Sequence, residues 1–511
     1  MTTFSLLNFG CRASQADGAA LKRQLIESGL AEAPVSAHGD VAILNTCTVT
    51  AAADAEIRQT IRRIHRENSR CRILVTGCYA QRAPDDIAAI EGVAWVVGNS
   101  HKHRIPEILR GAPLGPTGPN DSTGADSATK HAGEEARAPD APLHFDFTSR
   151  GSDAEIHVGE IAAHFHFMPA FQGDRTRPTL KIQDGCNARC SFCIIPAVRG
   201  RSRSLPPGQV ISEIRSLESD GTNEVVLSGI NLGGYGRDLD RSITFMGLLE
   251  RILAETGIRR IRISSIEPMD VHPALIRLVA TEPRLADHFH VPLQSGSDRI
   301  LRQMNRRYWA AQYAERILAI RESMPQCGVG ADVMTGFPGE TGCDHATSVR
   351  FIESLPFTYL HIFPYSPRPS TPAAARADQV SGRIAHERSA ELRTLIARKR
   401  QAFLATQIGR TLSAVTLSGR AERAGQAGQE NGEASALSSN FLAISLPECR
   451  IGTNRLVDVR VSRAHEDRLY GYVEERLDAG GVARGGEQIL HSMPGIDAGR
   501  HSTSPDALPI E

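Results

Sequence analysis

The sequence lacks several features that would place it in a specialised class of protein. It has ten cysteines in 511 residues, too few for a disulfide scaffold. No apolar run approaches the roughly 18 residues that a membrane span needs, and the N-terminal residues lack the basic start and apolar core of a signal peptide. The formal net charge is zero, which excludes a uniformly basic protein. We therefore expect a cytoplasmic protein without a membrane-bound part, in which clustered cysteines bind metal or take part in catalysis.

The remaining composition favours a large α/β protein with several domains. Hydrophobic residues make up 41% of the chain, enough for sizeable cores, and the length suggests roughly three domains. From the patterns described below we predict five segments: an N-terminal parallel α/β domain (1–110), a flexible insertion or linker (111–175), a central partial (β/α) barrel (176–405), a small β domain (406–475) and a disordered tail (476–511).

Three short apolar runs near the N-terminus each end in a cysteine, namely Cys11, Cys47 and Cys78. A helix-like stretch follows each run, and this strand–helix alternation predicts a parallel sheet. Right-handed crossovers place the carboxyl ends of such strands at one edge, where open α/β sheets bind ligands. We therefore expect the three cysteines to meet in space, with ordinary apolar packing at strand ends as the alternative.

Six further strand candidates recur between residues 176 and 370, with helical patterns between them. They are TLKIQDG, EVVLSG, RIRISS, HFHVPLQSG, GADVMTG and YLHIFPYS. Repeated βα units predict a curved parallel sheet or partial barrel with its site at the carboxyl ends of the strands. His290 lies inside an apolar run, and we interpret it as a core residue.

Short alternating runs return after a charged helical stretch over residues 380–407. In RLVDVRV, Val457, Val459 and Val461 point to one face and the charged residues between them to the other. This period of two predicts a small antiparallel β unit.

The densest signal is KIQDGCNARCSFCIIP, in which Cys186, Cys190 and Cys193 are spaced C-x3-C-x2-C. Three thiolates on one loop can hold a metal, but a structural zinc site needs four ligands. The next cysteine is distant, and no histidine follows within twenty residues. A four-iron cluster with one iron open to an exogenous ligand fits best. A zinc site completed from a distance and a chance cluster of buried cysteines are the alternatives.

This spacing, with Phe192 before the last cysteine, resembles the radical S-adenosylmethionine (SAM) enzymes. The resemblance implies that the open iron binds SAM, and that one-electron reduction cleaves SAM to methionine and a 5′-deoxyadenosyl radical. It also implies an electron donor of the flavodoxin or ferredoxin type. Residues at or near predicted strand ends are expected to line the SAM pocket together with Phe192; they are Ser228, Gly229, Ser265, Gln294 and Asp332.

The two cysteine sets together narrow the resemblance to the methylthiotransferase family. The motifs that carry it are NTCTVT, VTGCYAQR, IQDGCNARCSFCIIPAVRGRSRS, VVLSGINLGGYG, RISSIEP, HFHVPLQSGSDRILRQMNRRY, DVMTGFPGET and HIFPYSPRPSTPAA. The family implies a second four-iron cluster on Cys11, Cys47 and Cys78 that gives sulfur to the substrate. It further implies a second SAM as methyl donor and a TRAM-type RNA-binding module over 408–475.

Within the family, NTCTVT with RGRSRS most resembles the branch that acts on threonylcarbamoyladenosine in tRNA. The implied partner is the anticodon stem–loop, and the sulfur source is not identified. The alternatives are a methylthiotransferase for isopentenyladenosine in tRNA or for a ribosomal protein, and a non-catalytic iron–sulfur RNA-binding sensor. The stretch RASQADG after Cys11 departs from the usual family pattern.

Although the net charge of the whole chain is zero, some segments are rich in arginine. Residues 57–72 hold six arginines against one glutamate, and Arg199, Arg201 and Arg203 follow the second cysteine set. Arginine suits phosphate contacts, so both tracts are candidate RNA-binding surfaces, and solvated protein surface is the alternative. The other four cysteines, Cys71, Cys327, Cys343 and Cys449, are interpreted as structural.

Overall fold

The computed structural model describes residues 2–34, 38–111, 154–162, 176–417, 434–447 and 451–474. Most of the predicted insertion 111–175, the predicted tail 476–511 and Cys449 therefore lie outside the described residues. In the described ranges, no helix is both long and apolar enough to cross a membrane.

The N-terminal residues form a six-stranded parallel sheet, as predicted, in the order β2-β1-β3-β4-β5-β6. Its strands are β1 (Thr3–Asn8), β2 (Ala31–Glu32), β3 (Val41–Thr46), β4 (Arg72–Gly77), β5 (Val93–Val97) and β6 (Glu155–His157). Its helices are α1 (Arg12–Glu27), α2 (Ala51–Glu67), α3 (Cys78–Arg82), α4 (Pro84–Ala88) and α5 (Ile105–Leu109).

Both faces of this sheet are covered, because successive strand side chains point to opposite sides. Val41 and Ile43 of β3 pack on the face that α1 covers. Ala42 and Leu44 pack on the other face, against Ile57 of α2 and its neighbours. The strands are therefore apolar throughout, and polar chemistry is confined to their ends.

The central domain contains a second set of parallel strands. They are β7 (Thr179–Lys181), β8 (Gln183–Asp184), β9 (Arg203–Ser204), β10 (Glu224–Ser228), β11 (Arg260–Ile263), β12 (His288–His290), β13 (Gly328–Thr335) and β14 (Tyr359–Pro364), of which β8 and β9 form a separate antiparallel pair. The helices are α6 (Ile195–Arg199), α7 (Pro207–Ser219), α8 (Phe245–Glu255), α9 (Pro273–Thr281), α10 (Asp298–Gln303), α11 (Ala310–Ser323) and α12 (Gly342–Ser354).

These strands form the predicted partial barrel. The sheets β7-β10-β11 and β12-β13-β14 are joined by parallel bridges from Ile261 to Leu285 and from Ser265 to His290. In the described residues, β7 does not pair with β14, and α1 packs beside β7. The barrel is therefore open along one side, next to the N-terminal domain.

The two faces of the partial barrel differ in polarity. Side chains such as Leu227, Ile263 and Ala331 point outward into the main apolar core beneath the helices. The alternate positions of the same strands point inward and are largely polar; they include Lys181, Glu224, Arg262, His290 and Asp332. His290 is buried as predicted, but its ring faces this inner side instead of the apolar core.

The C-terminal described residues begin with helix α13 (Gly382–Ala405), as predicted. Beyond it, β15 (Thr411–Leu417), β16 (Ala434–Ser438), β17 (Ala443–Leu446), β18 (Leu456–His465) and β19 (Arg468–Glu474) form a closed five-stranded barrel. Val459 and Val461 fill its interior, which confirms their predicted common face. The pairing is antiparallel except between β17 and β19.

The turn between β16 and β17 reaches the central barrel. Phe441 adopts a positive φ of 67°, and its ring stacks on His288 at 4.5 Å and lies 5.4 Å from Tyr359. Arg262 of β11 donates hydrogen bonds to the carbonyl oxygens of Ser438 and Ser439. The tip of the C-terminal barrel therefore closes the floor of the central one at the amino ends of its strands.

Candidate active site

Cys11, Cys47 and Cys78 each lie immediately beyond a parallel strand of the N-terminal sheet, at the common edge that the sequence predicts. The loop before Cys11 packs tightly against Cys47 at Gly10, which adopts a φ of 99°. A Cβ atom added to Gly10 would lie only 2.3 Å from the Cys47 Cβ, so only glycine fits there. Cys47 and Cys78 are buried, whereas Cys11 is exposed. The set therefore has one accessible side.

The electrostatics show that these three thiols share one small environment. Burial raises the pKa of Cys47 to about 12, and the neighbouring thiols of Cys11 and Cys78 add to this rise. Ionising three neighbouring thiols together, two of them buried, is unfavourable without a metal that compensates their charge, because burial and like charges both oppose the thiolate form. The arrangement suits a metal cluster better than three unrelated core residues.

Cys186, Cys190 and Cys193 lie on the loop that follows β8. The Cys193 N–H donates to the Cys190 carbonyl oxygen at 3.1 Å, and the Ala188 N–H donates to Cys186 Sγ at 3.3 Å. Burial raises the pKa of Cys193 to about 12, and the neighbouring thiols of Cys190 and Cys186 add to this rise. This loop thus gathers three partly buried thiols, and a backbone N–H already donates to one of their sulfur atoms.

The separation of the sulfur atoms bears on the choice between zinc and an iron–sulfur cluster. Among the described residues, neither cysteine set brings three ligand atoms within 4.8 Å of one another. A tetrahedral zinc with thiolate bonds near 2.3 Å would hold them about 3.8 Å apart. A four-iron cluster places each thiolate on a different iron and so does not require the three sulfur atoms of a set to lie this close together.

Arg199 of α6 lies between the two cysteine sets and is only 1% exposed. Its Nε donates to Cys78 Sγ at 3.2 Å, and its Nη1 donates to Asp184 at 3.0 Å, two residues before Cys186. Our prediction of Arg199 as an RNA contact is therefore wrong, because a phosphate cannot reach a side chain this deeply buried. Sequence reasoning missed its actual position, since RGRSRS reads as a surface basic tract.

Arg203 is also misassigned as an RNA contact. Its guanidinium is mostly buried and donates to the carbonyl oxygens of Ala162 and Arg199 at 2.9 and 2.7 Å. Arg201 between them is exposed, and its contact with RNA stays a prediction. On α2, Arg62, Arg63 and Arg66 are exposed as well, so that tract also keeps its candidate role.

A buried ionic network surrounds Arg199 and joins the two domains. Arg199 and Lys102 reach Asp17 of α1 at 3.0 and 3.2 Å, and Lys181 of β7 contacts both Asp17 and Asp184. Burial alone would raise the pKa of Asp17, but Lys102, Lys181 and Arg199 hold it well below its usual range. Three cations against two carboxylates leave positive charge beside the thiols, which favours the thiolate form that metal binding requires.

Arg306 has the corresponding position beside the second cysteine set. Its Nη1 donates to Cys190 Sγ at 3.3 Å, and its other terminal nitrogen pairs with Glu267. A cavity of about 420 Å³ opens there and is lined by Cys190, Asn231 and Asp270, among others. Its size and polar walls suit a nucleoside-sized cofactor. The sequence contains Arg306 in a basic group that gave no reason to single it out.

The residues predicted to contact SAM lie elsewhere around the carboxyl ends of the barrel strands. Ser228 ends β10 and Gly229 follows it, Ser265 pairs with His290 in a bridge, and Gln294 adopts a φ of 66° with a buried, unpartnered Oε1. Phe192 packs against a small apolar cluster that includes Met334. None of the six predicted residues lines the cavity beside Cys190, and their contact with SAM stays a prediction.

Asp332 lies deeper than the sequence predicts, in the middle of β13, because that strand continues to Thr335. Its Oδ1 meets His290 Nε2 at 3.1 Å and His361 Nδ1 at 3.2 Å. These three residues have ligand types that suit a transition metal. The guanidinium groups of Arg12 and Arg262 act on the same space, and their positive charge opposes a further cation there.

Of the cysteines interpreted as structural, two fit that description. Cys71 and Cys327 are buried, 3% and 0% exposed, and belong to apolar cores. Cys343 is exposed at the start of α12, so it is not a packed core residue.

Comparison with known protein families agrees with this geometry. Residues 180–352 match the radical SAM superfamily, and residues 3–98 match the uncharacterized protein family UPF0004. The two matches cover the two domains that carry the cysteine sets.

Curated relatives match across most of the chain. A protein of Aquifex aeolicus named threonylcarbamoyladenosine tRNA methylthiotransferase MtaB is 34% identical over 80% of this chain and 91% of its own. The protein of that name from Bacillus subtilis is 35% identical, covering 76% and 79%. A tRNA-2-methylthio-N(6)-dimethylallyladenosine synthase of Geobacter metallireducens is 31% identical, covering 91% and 96%. The chain therefore belongs to the tRNA methylthiotransferases of the radical SAM superfamily, enzymes whose cofactors are two [4Fe-4S] clusters and SAM.

Proposed function

We propose that this tRNA methylthiotransferase converts N6-threonylcarbamoyladenosine, next to the anticodon, into its 2-methylthio derivative. The observation that carries the reaction type is the pair of three-thiol sets joined through Arg199. The substrate is favoured by the relatives from A. aeolicus and B. subtilis, whose names specify threonylcarbamoyladenosine. It is favoured as well by the motifs NTCTVT and RGRSRS.

In this proposal the two cysteine sets have separate tasks. Cys186, Cys190 and Cys193 hold the cluster that binds SAM, and Cys11, Cys47 and Cys78 hold the cluster that donates sulfur. When bound, these groups supply a radical for hydrogen abstraction at carbon 2 of the adenine, sulfur for that carbon, and a methyl group from a second SAM. A radical route is required because the hydrogen at this carbon is too weakly acidic for removal by a general base.

The protein's own residues position these groups. Arg199 and Asn99 donate to Cys78 Sγ at 3.2 and 3.5 Å, and Arg306 donates to Cys190 Sγ at 3.3 Å. Hydrogen bonds to ligating sulfurs stabilise the more negative, reduced state of a cluster and raise its potential. With the clusters bound, the arginines would therefore favour electron uptake from a donor of the flavodoxin or ferredoxin type.

The RNA partner is the anticodon stem–loop, whose target base is in a single-stranded loop and can be unstacked at low cost. Exposed Arg62, Arg63 and Arg66 on α2 and Arg201 beside the second cysteine set offer contacts to its phosphates. A substrate of this kind places the enzyme in the cytoplasm.

Mass spectrometry of tRNA nucleosides from a deletion strain tests the substrate. We expect the 2-methylthio form of threonylcarbamoyladenosine to disappear and its precursor to accumulate, with recovery on complementation by the intact gene. Persistence of the modified nucleoside would refute the proposed substrate. Loss of methylthiolated isopentenyladenosine, or of a methylthiolated ribosomal protein, would identify the alternative branch.

The cysteine assignments need a second test in purified, anaerobically reconstituted protein. Cys190→Ala should abolish reductive cleavage of SAM to 5′-deoxyadenosine, because it removes a ligand of the radical cluster. Cys47→Ala should preserve cleavage and stop sulfur insertion. Cys327→Ala changes a buried cysteine outside both sets and serves as the matched control. Intact SAM cleavage in Cys190→Ala would contradict the assignment.

A further inference from the structure

Arg12 is the first residue of α1 and directly follows the proposed cluster ligand Cys11. Its side chain points through the open side of the central barrel, where Tyr359, Arg262 and Asp332 are near enough to act on its charge. Its guanidinium carbon lies 5.6 Å from the centre of the Phe441 ring. Arg12 thus joins the sulfur-donating site to the interior of the barrel.

Among the described residues, the guanidinium of Arg12 forms no ion pair and no hydrogen bond, and its one defined contact there is with the Phe441 ring. A half-buried cation without an anionic partner is costly. Such a cation either lowers the stability of the protein without serving a function, or it binds an anionic group of the substrate.

The acidic residues around Arg12 are already committed to other partners. Glu224 forms ion pairs with Arg262 at 2.8 Å, with Arg177 at 3.3 Å and with Arg260 at 3.6 Å. Asp332 is held between His290 and His361. Arg12 therefore shares this region with three arginines and two carboxylates, and both carboxylates are already paired with other residues.

The inner wall near Asp332 is accessible. The His361 side chain, which meets Asp332 at 3.2 Å, is 59% exposed although it points to the inner face, so the barrel is not filled at this level. An anionic group of the substrate can enter here, next to Cys11. An apolar group would leave the guanidinium unpaired and lose its hydration.

We propose that Arg12 is a specificity-determining residue that binds the carboxylate of the threonylcarbamoyl group. This inference rests on the proposed function, because it assumes that threonylcarbamoyladenosine is the substrate. The threonyl carboxylate extends away from the adenine ring on the N6 substituent, several bonds from the reacting carbon, so a long side chain next to the sulfur donor can reach it. A guanidinium–carboxylate pair also explains discrimination against the isopentenyl group, which has no charge to offer.

The test compares two anticodon stem–loop RNAs in the anaerobic, reconstituted enzyme. One carries threonylcarbamoyladenosine, and the other carries the same nucleoside with the carboxylate converted to a neutral carboxamide. We expect the intact enzyme to prefer the carboxylate RNA by about 10- to 100-fold in kcat/KM, the range that one charged hydrogen-bonded pair supplies. Arg12→Gln should lose that preference, and Arg12→Lys should keep part of it.

Arg23→Gln is the matched control, because Arg23 is on the same helix but pairs with Glu27 at its surface. It should keep the preference of the intact enzyme. Iron content and 5′-deoxyadenosine formation without RNA are measured for every variant, so that loss of a cluster beside Cys11 is recognised.

The outcomes separate this inference from the proposed function. If the intact enzyme modifies both RNAs equally well, the role of Arg12 is refuted even if every Arg12 variant fails to fold. If Arg12→Gln retains the full preference, the role is refuted while the substrate stands. If the intact enzyme modifies neither RNA but accepts isopentenyladenosine, the proposed function itself is wrong.

Discussion

Replacing Arg199 with glutamine tests whether the two domains depend on the buried network between the cysteine sets. Arg199 contacts Asp17 at 3.0 Å and Asp184 at 3.0 Å in a place closed to solvent. Removing one member of a buried ion pair costs about 3–5 kcal/mol when the remaining charge loses all compensation. Here Lys102 still pairs with Asp17 and Lys181 with Asp184. We therefore expect the free energy of unfolding to fall by about 3 kcal/mol, at the lower end of that range.

The fluorescence of Trp95 gives the assay. The chain has two tryptophans; Trp95 is buried in the N-terminal sheet with Arg72 stacked on it, whereas Trp309 is 44% exposed. Urea unfolding followed through Trp95, in cluster-free protein at neutral pH, should show the loss in the free energy of unfolding. Arg201→Gln is the control, since its exposed side chain should change the free energy by less than about 0.5 kcal/mol.

The same substitution should also act on the proposed auxiliary cluster. Loss of the Arg199 hydrogen bond to Cys78 removes about 1 kcal/mol of stabilisation from the reduced state, which lowers the one-electron potential by about 40 mV. Protein-film voltammetry or a redox titration followed by electron paramagnetic resonance measures this shift. An unfolding free energy within about 1 kcal/mol of the intact protein, together with an unchanged potential, would refute the role assigned to Arg199.

Three other predictions concern separate parts of the molecule. Although burial opposes ionisation, the surrounding arginines, Arg262 first, hold the pKa of Glu224 at about 2 against a usual 4.5. The contribution of ionised Glu224 to the free energy of unfolding, about 3 kcal/mol, is therefore present above pH 4.5 and is lost as the pH falls towards 2. In acid unfolding, the difference in stability between the intact protein and Glu224→Gln should shrink over that range. Charge reversal of Arg62 and Arg66 should weaken tRNA binding and lower the salt slope by about 1 for each phosphate that the protein no longer neutralises; an unchanged slope in a filter-binding assay would assign them to solvated surface. Phe441→Ala should cost about 2 kcal/mol in urea unfolding, less than a fully buried phenylalanine because this side chain is only partly buried, and a cost below about 0.5 kcal/mol would show that the ring does not support the barrel floor.

The common position of Cys11, Cys47 and Cys78 at one edge of the sheet could be predicted because the sequence repeats it. A cysteine follows β1, β3 and β4 in turn, and parallel strands with right-handed crossovers bring such positions to one edge. The C-x3-C-x2-C loop is local, so its spacing alone predicts that its three thiols lie near one another. The same reasoning placed the six barrel strands, because each is an apolar run that ends in polar residues or glycine.

The residues that tune the site could not be predicted in this way. Arg199 and Arg306 each stand in a basic tract, and the sequence does not show which member of a tract turns inward to a sulfur. The inner polar face of the barrel was not predicted, since His290 was interpreted as a core residue, and the pairing of Asp332 with two histidines depends on register between strands. Arg12 was not singled out within the stretch RASQADG, and its position depends on where α1 meets the barrel.

The position of Phe441 has a consequence for how the enzyme is assembled. The thiols of both sets, from Cys11 to Cys193, are synthesised before the turn that carries this ring. During translation the central barrel is therefore made before its floor, and His288 and Tyr359 are covered from below only when the C-terminal barrel has folded. A chain shortened before that turn would keep every thiol of both sets and still lack the floor of the barrel, so the last domain is a structural part of the catalytic unit.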